Sequence, residues 1–136
     1  MSLHLEIVTP EEKVFSDTVQ DVYVPGVDGE MGILELHAAL VAALKPGSLR
    51  YRKDNAVTEL AIGAGFAEVT QEKVVVLTDL AADADSIDEE AVQKALEAAE
   101  KAMENIDYTD ADEMQHQQAI IERSIAQLQL KQRKRG

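Results

Sequence analysis

Glycine and proline stop abruptly partway along this chain, and that break constrains the fold more than any other feature. Six of the seven glycines and all three prolines (Pro10, Pro25, Pro46) fall before residue 67, and from Phe66 to Arg135 there is neither. Turn formers therefore punctuate the first half and vanish from the second. The first half also alternates with period two, the spacing of a strand with one buried face. Leu3, Leu5 and Ile7 alternate with His4 and Glu6, and Val22 and Val24 flank Tyr23. Further strand-like runs are "SLRYR" from Ser48, "AVTELAIG" from Ala56, "GFAEVT" from Gly65 and "KVVVLTDLA" from Lys73. Short strands at roughly 8–12-residue spacing with Gly/Pro turns predict a sandwich or barrel. That domain is expected over residues 1–82.

Residues 83–136 read as helix. Ser86 followed by Glu89 offers a capping box at the start of the first helix, because a hydroxyl and a carboxylate at that spacing satisfy two orphan amides. Val92, Ala95, Leu96, Ala99, Ala102, Met103 and Ile106 then share one face. "NIDYTDAD" interrupts the pattern and supplies a second cap at Thr109 or Asp110. Met114, Ile121, Ile125 and Leu128 define one face of a second helix. The expected fold class is α+β: an antiparallel β-sandwich followed by a two-helix hairpin. Alanine dominates the first helix's apolar stripe, and at ~0.8 kcal/mol per buried methylene it gains less than leucine would. Residues 79–112 also carry 12 acids and 2 bases. The hairpin is therefore expected to be weakly held, and its second helix less protected from hydrogen exchange than the strands.

Charge is as unevenly distributed as glycine. The formal net charge is −13, with 24 acids and 8 bases over residues 1–112 (−16) but 2 acids and 5 bases over residues 113–136 (+3). So acidic a chain does not fit nucleic-acid wrapping, which needs Lys and Arg to displace counterions. No run approaches the ~18 apolar residues that would suggest a membrane span, and bilayer insertion is not expected. The absence of cysteine removes disulfides and thiolate metal sites. The first residues have neither the basic nor the apolar region of a signal or transit peptide, so a soluble, cytoplasmic chain is expected.

Three stretches invite a chemical reading. "GVDGEMGILELH" (26–37) spaces Gly26, Gly29 and Gly32 three apart, which is not a dinucleotide loop, and Asp28 and Glu30 would repel phosphate. A turn between strands accounts for the glycines. His37 stands alone in apolar company, and neither His4 nor His116 lies at metal-ligand spacing from it. No serine sits in a nucleophile elbow, and "DNAVTE" (54–59) lacks the glycine of a calcium loop. No catalytic residue, metal ligand or cofactor site is expected. The third stretch is the basic end, where Arg123, Lys131, Arg133, Lys134 and Arg135 fit either a solvated helix terminus or a surface that docks an acidic partner.

Taken in order, "GEMGIL", His37-Ala38, "LKPGSLR" with Arg50, "GAGFAEV" and "IDYTDADEMQHQQAIIERSIAQLQL" resemble the epsilon subunit of F-type ATP synthases across essentially the whole chain. The resemblance implies a non-catalytic central-stalk rotor subunit. Its sandwich would grip the gamma subunit and rest on the polar loops of the membrane c-ring. Val27, Asp28, Gly29, Glu30 and Met31 would make the c-ring contact, with Glu30 presented at the turn and His37 positioning it. The hairpin would either fold on the sandwich or extend, and in the extended form its basic helix would meet an acidic segment of the beta subunit and restrain ATP hydrolysis. The rival reading is a free-standing sandwich adaptor docking some other acidic protein. Residues depart from the family pattern in two places. His-Ala-Pro is His37-Ala38-Ala39, and Pro-Gly before the histidine is Glu35-Leu36. Where some members bind ATP through an Asp-x-x-Arg motif, this chain keeps Asp88 but has Ala91 for the arginine, so ATP binding is not expected. The mitochondrial counterpart of this fold carries a transit peptide. The expected location is therefore the cytoplasmic face of a bacterial inner membrane, as a peripheral part of the complex, or an organelle-encoded equivalent.

Overall fold

The computed structural model describes residues 3–34, 37–107 and 109–135. Ten strands come first: β1 (Leu3–Val8), β2 (Lys13–Val19), β3 (Asp21–Gly26), β4 (Gly29–Leu34), β5 (Leu40–Leu44), β6 (Gly47–Lys53), β7 (Ala56–Ile62), β8 (Gly65–Val69), β9 (Lys73–Thr78) and β10 (Ala81–Ala82). A short 3₁₀ turn (Ala84–Ser86) leads into α1 (Glu89–Glu104) and α2 (Ala111–Arg135). The strands run β10-β7-β6-β3-β5-β8-β9-β1-β2, with β4 paired to β3. Among the described residues every pairing is antiparallel except β1 with β9.

The two-residue alternation decides what each strand buries. Leu3, Leu5 and Ile7 are fully buried with Val22, Val24, Ile33, Leu49 and Val76, while His4 and Glu6 face outward from β1. At about 1.5–3 kcal/mol for each fully buried aliphatic side chain, this interior dominates the stability of the sandwich. The order ends on β2, which folds back towards β6: Phe15 and Tyr51 lie 4.5 Å apart between ring centroids, and Lys53 pairs with Asp17. The Lys53 ammonium and the Thr18 amide hold the Asp17 carboxyl below its ordinary 3.8. The same carboxylate raises Lys53 above 10.5. Asp17 therefore stabilises above its unfolded value, and that contribution is lost as pH falls through the lowered folded one. Lys53 stabilises below its unfolded value, and its contribution is lost as pH rises through the raised one. Asp17→Asn should lower the melting temperature on the plateau near neutrality and flatten the acid limb, because the contribution it removes is present at neutral pH and already lost in acid.

Three strands were not legible as alternation. β2 is mostly exposed, β5 is small and apolar, and β4 lies inside the glycine stretch. Gly32 is not a turn residue. It pairs with Tyr23 across β3 and β4, and a Cβ there would come 2.8 Å from the tyrosine ring. "DN" of "DNAVTE" is a hairpin turn between β6 and β7, with Asp54 and Asn55 both at positive φ, the geometry that prefers Asn and Asp.

The expected capping box at Ser86 and Glu89 does not form. Asp88 caps α1 through the Ala91 amide, and Ser86 instead closes the 3₁₀ turn on Asp83. A carboxylate one residue before the helix takes the amide more directly than a hydroxyl three residues away. The second cap is Asp110, whose carboxylate accepts from the Glu113 amide. The apolar faces are also broader than single stripes. Ala95 and Ile125 are exposed, while Ser124, Ala126, Leu128 and Leu130 are buried as two adjacent i,i+4 rows. α2 needs both rows because it packs against α1 and also against β6 and β7. Ala99 is the buried residue of α1. Leu130, Ala61 and Ile87 form the small core between hairpin and sandwich.

Candidate docking surfaces

Val27 and Asp28 form the two-residue turn between β3 and β4, flanked by the Gly26–Gly29 pair. Gly29 takes the left-handed conformation at φ +133°, which a side chain would resist. The turn is tied down on one side, where the Val27 amide donates to the Ala43 carbonyl at 3.0 Å and the Lys45 amide to Pro25 at 3.0 Å. A cleft of about 520 Å³ opens between the turn and β5, lined by Val27, Asp28, Glu30, Met31 and Val41 among others. Glu30 is not at the tip. It lies on β4 opposite Pro25, and its carboxylate accepts a hydrogen bond from Arg50 of β6. Arg50 in turn lies over the Tyr23 ring, 5.2 Å from its centroid, so the guanidinium is held from both sides. His37 is half-buried and is not among the residues lining the cleft. Its Nδ1 lies 2.8 Å from the Ala38 carbonyl oxygen, a local turn-back.

Three basic residues of α2 reach back towards the body of the chain. Arg123 pairs with Asp79 at 3.7 Å, Lys131 donates to the Ala84 carbonyl at 2.9 Å, and Arg133 reaches Glu59 at 3.3 Å and Ser48 at 3.4 Å. Lys134 is exposed, and the side chain of Arg135 lies outside the described residues. The hairpin is thus closed on the sandwich, with Arg123, Lys131 and Arg133 turned inward. Near its root, a groove between the start of α1 and Lys131 carries Asp88, Glu89, Glu90 and Glu97. Asp88 spends one carboxylate oxygen on capping, and Lys94 pairs with Glu90 at 3.5 Å. Anions dominate the place where a phosphate would have to sit.

His4, Ser16 and Glu6 meet on the outer face of β1 and β2, a grouping that looks at first like a relay. His4 Nε2 lies 3.1 Å from Ser16 Oγ and 3.6 Å from Glu6. A nucleophile and an orienting acid must occupy opposite ring nitrogens, and here one nitrogen faces both. Glu6 serves instead as a charge hub for Lys73 at 3.4 Å and Lys13 at 3.7 Å. Burial pushes its carboxyl up, but the two lysines and His4 together hold it below its ordinary 4.5. No group of three or more potential metal ligands occurs among the described residues, and no described helix is long and apolar enough to cross a membrane.

One surface escaped the sequence reading altogether. Phe66 is 55% exposed, Leu77 42% and Val41 69%. Phe66 pairs across the strands with Ala43 on one side and Leu77 on the other, so Ala43, Phe66 and Leu77 form a continuous apolar row across β5, β8 and β9, while Val41 stands opposite Glu68. Other exposed aliphatics stand beside charge: Val57 is opposite Arg52 and Leu34 opposite Asp21. Scattered apolar residues are ordinary, but a contiguous patch marks an interface.

A family model described as the beta-sandwich domain of the ATP synthase delta/epsilon chain matches residues 2–84. An ATP synthase epsilon chain of Herpetosiphon aurantiacus is 37% identical over 136 residues, covering 100% of this chain and 98% of the relative. The chain belongs to the ATP synthase epsilon chain family. The epsilon chain of Nitratidesulfovibrio vulgaris is 37% identical over 134 residues, 96% of each chain, and that of Lawsonia intracellularis 49% over 98 residues, 72% of this chain and 74% of the relative. Among solved structures, a chain of the Euglena gracilis mitochondrial ATP synthase, an assembly of OSCP, F1 and c-ring, superposes with a TM-score of 0.77 at 26% identity. It covers 92% of this chain and 78% of that one. A chain from the Tetrahymena thermophila mitochondrial ATP synthase central stalk and c-ring shares the fold, with a TM-score of 0.54 at 14% identity, covering 63% and 69%.

Epsilon chains are non-catalytic stalk subunits. Of the residues singled out in the sequence, the structure gathers Val27, Asp28, Gly29, Glu30 and Met31 around one cleft. It separates His37 from them, and it turns Arg123, Lys131 and Arg133 against the sandwich. The apolar face could have been found by strand parity: in "GFAEV" Ala67 and Val69 point inward, which leaves Phe66 facing out.

Proposed function

We propose that this chain is a rotor subunit of the ATP synthase central stalk that couples the gamma subunit to the c-ring and restrains ATP hydrolysis through its hairpin. On this reading residues 1–82 are the docking domain and residues 83–136 the regulatory one. The observation that carries it is the apolar row of Ala43, Phe66 and Leu77, exposed in the free chain and beside the β3–β4 turn. Gamma takes that face, and the turn rests on the polar loops of the ring. The complex then lies peripherally on the cytoplasmic face of a bacterial inner membrane, without insertion of this chain into the bilayer.

Restraint follows from the double use of α2. Arg123 and Arg133 hold the closed hairpin through largely exposed ion pairs, each worth under ~1 kcal/mol, and Lys131 through a half-buried hydrogen bond to the Ala84 carbonyl. An acidic segment of the beta subunit competes for the same cations, joined by Lys134 and Arg135, once the hairpin opens. Two states within a few kcal/mol are what a population switch requires. The Asp88 groove takes no ATP on this reading, because Ala91 supplies no cation. Reconstituting the complex with the full chain and with a chain ending at Asp85 tests the restraint. Hydrolysis should rise with the short chain, and equal rates would refute restraint while leaving the rotor role intact.

A further inference from the structure

We infer that Asp28, rather than Glu30, is the carboxylate that meets the docking partner's cation, in a cleft built to take an arginine or lysine from a partner loop. The inference rests on the reading that this end of the sandwich docks on the c-ring, and it names the chemistry of that contact.

Three observations carry it. Glu30 is already neutralised within the chain by Arg50, itself braced on Tyr23. To use Glu30, a partner would have to displace a guanidinium that already satisfies it. Asp28 sits at the tip, exposed, with no ion-pair or hydrogen-bond partner among the described residues. The cleft beside it supplies apolar walls: Val27 is 54% exposed and Val41 69%. Backbone bonds from the turn to Ala43 and Lys45 keep those walls in place. Arginine and lysine are the side chains that match such a surface, since their methylene stems lie along apolar groups while the charged head reaches water or a carboxylate.

The test measures affinity of the full-length chain for a detergent-solubilised assembly of gamma and c-ring depleted of this subunit, at low and physiological salt. Asp28→Asn should weaken binding about two- to fivefold at low salt, the range for a partly exposed ion pair. The loss should shrink as salt rises. Glu30→Gln should change affinity less than about twofold. Arg50→Gln frees Glu30 and should tighten binding, and adding Glu30→Gln to it should cancel the gain, a coupling that separates charge from folding effects. A greater loss from Glu30→Gln than from Asp28→Asn overturns the inference. Val27→Cys distinguishes the two levels. If it crosslinks to the ring while Glu30 dominates the energetics, only this inference falls. If neither Val27→Cys nor Met31→Cys crosslinks to the ring, the docking reading falls and the inference with it.

Discussion

Leu130→Ala should release the helical hairpin and leave the sandwich folded. Leu130 has no exposed surface, and its partners Ala61 and Ile87 belong to the sandwich and to the linker before α1. Truncating a buried leucine to alanine costs about 2–5 kcal/mol. Here that loss falls on one small cluster, because α1 contributes Ala99 as its buried residue and leaves Val92, Leu96 and Met103 half-buried. The surrounding ion pairs are too exposed to compensate. A loss of 2 kcal/mol alone shifts an opening equilibrium about thirtyfold. Amide protection across 126–130 should fall by at least that factor, while strands β1, β8 and β9 keep theirs. Arg133→Gln should move the same amides by less than about fivefold. Protection lost equally from hairpin and strands would mean that the two parts open as one unit, and the proposed switch would have no hinge. In the reconstituted complex the variant should populate the extended form and lower hydrolysis further.

How much of this was legible beforehand depended on whether a residue's role is local. Leu3, Leu5 and Ile7 announce a half-buried strand because period two is a property of the backbone. The second helix's cap was visible as Thr109 or Asp110, the latter being the one that forms, because capping involves a neighbour three residues on. Roles set across the fold were not visible. Gly32 reads as a turn glycine until Tyr23 is placed over it, and Glu30 reads as a free acid until β6 brings Arg50 alongside. The cations of α2 read as an outward-facing patch because helical spacing says nothing about which body lies opposite. Ile125 misled for the same reason: a single face fits a helix with one neighbour, and α2 has two.

Phe66→Glu should abolish most of the affinity for gamma while barely changing the stability of the isolated chain. Phe66 is 55% exposed in the closed monomer, so charge there meets water on the free surface and little folding energy is at stake. In the complex the same position lies at the centre of the apolar face, between Ala43 and Leu77. A buried aromatic at an interface centre is the usual site of contributions of 2 kcal/mol or more, and a buried unpaired carboxylate adds its own desolvation cost. A loss of at least about thirtyfold in affinity for gamma follows. Val57→Glu, at an equally exposed valine opposite Arg52, should leave affinity within about twofold and serves as the matched control. Unchanged binding by Phe66→Glu would remove gamma from this face. Failure of even the unaltered chain to bind gamma at physiological salt would favour a sandwich adaptor with a different partner. The expected contrast between two comparably exposed apolar residues rests mainly on their neighbours, since an apolar residue beside apolar residues excludes water cooperatively on docking and one beside a guanidinium does not.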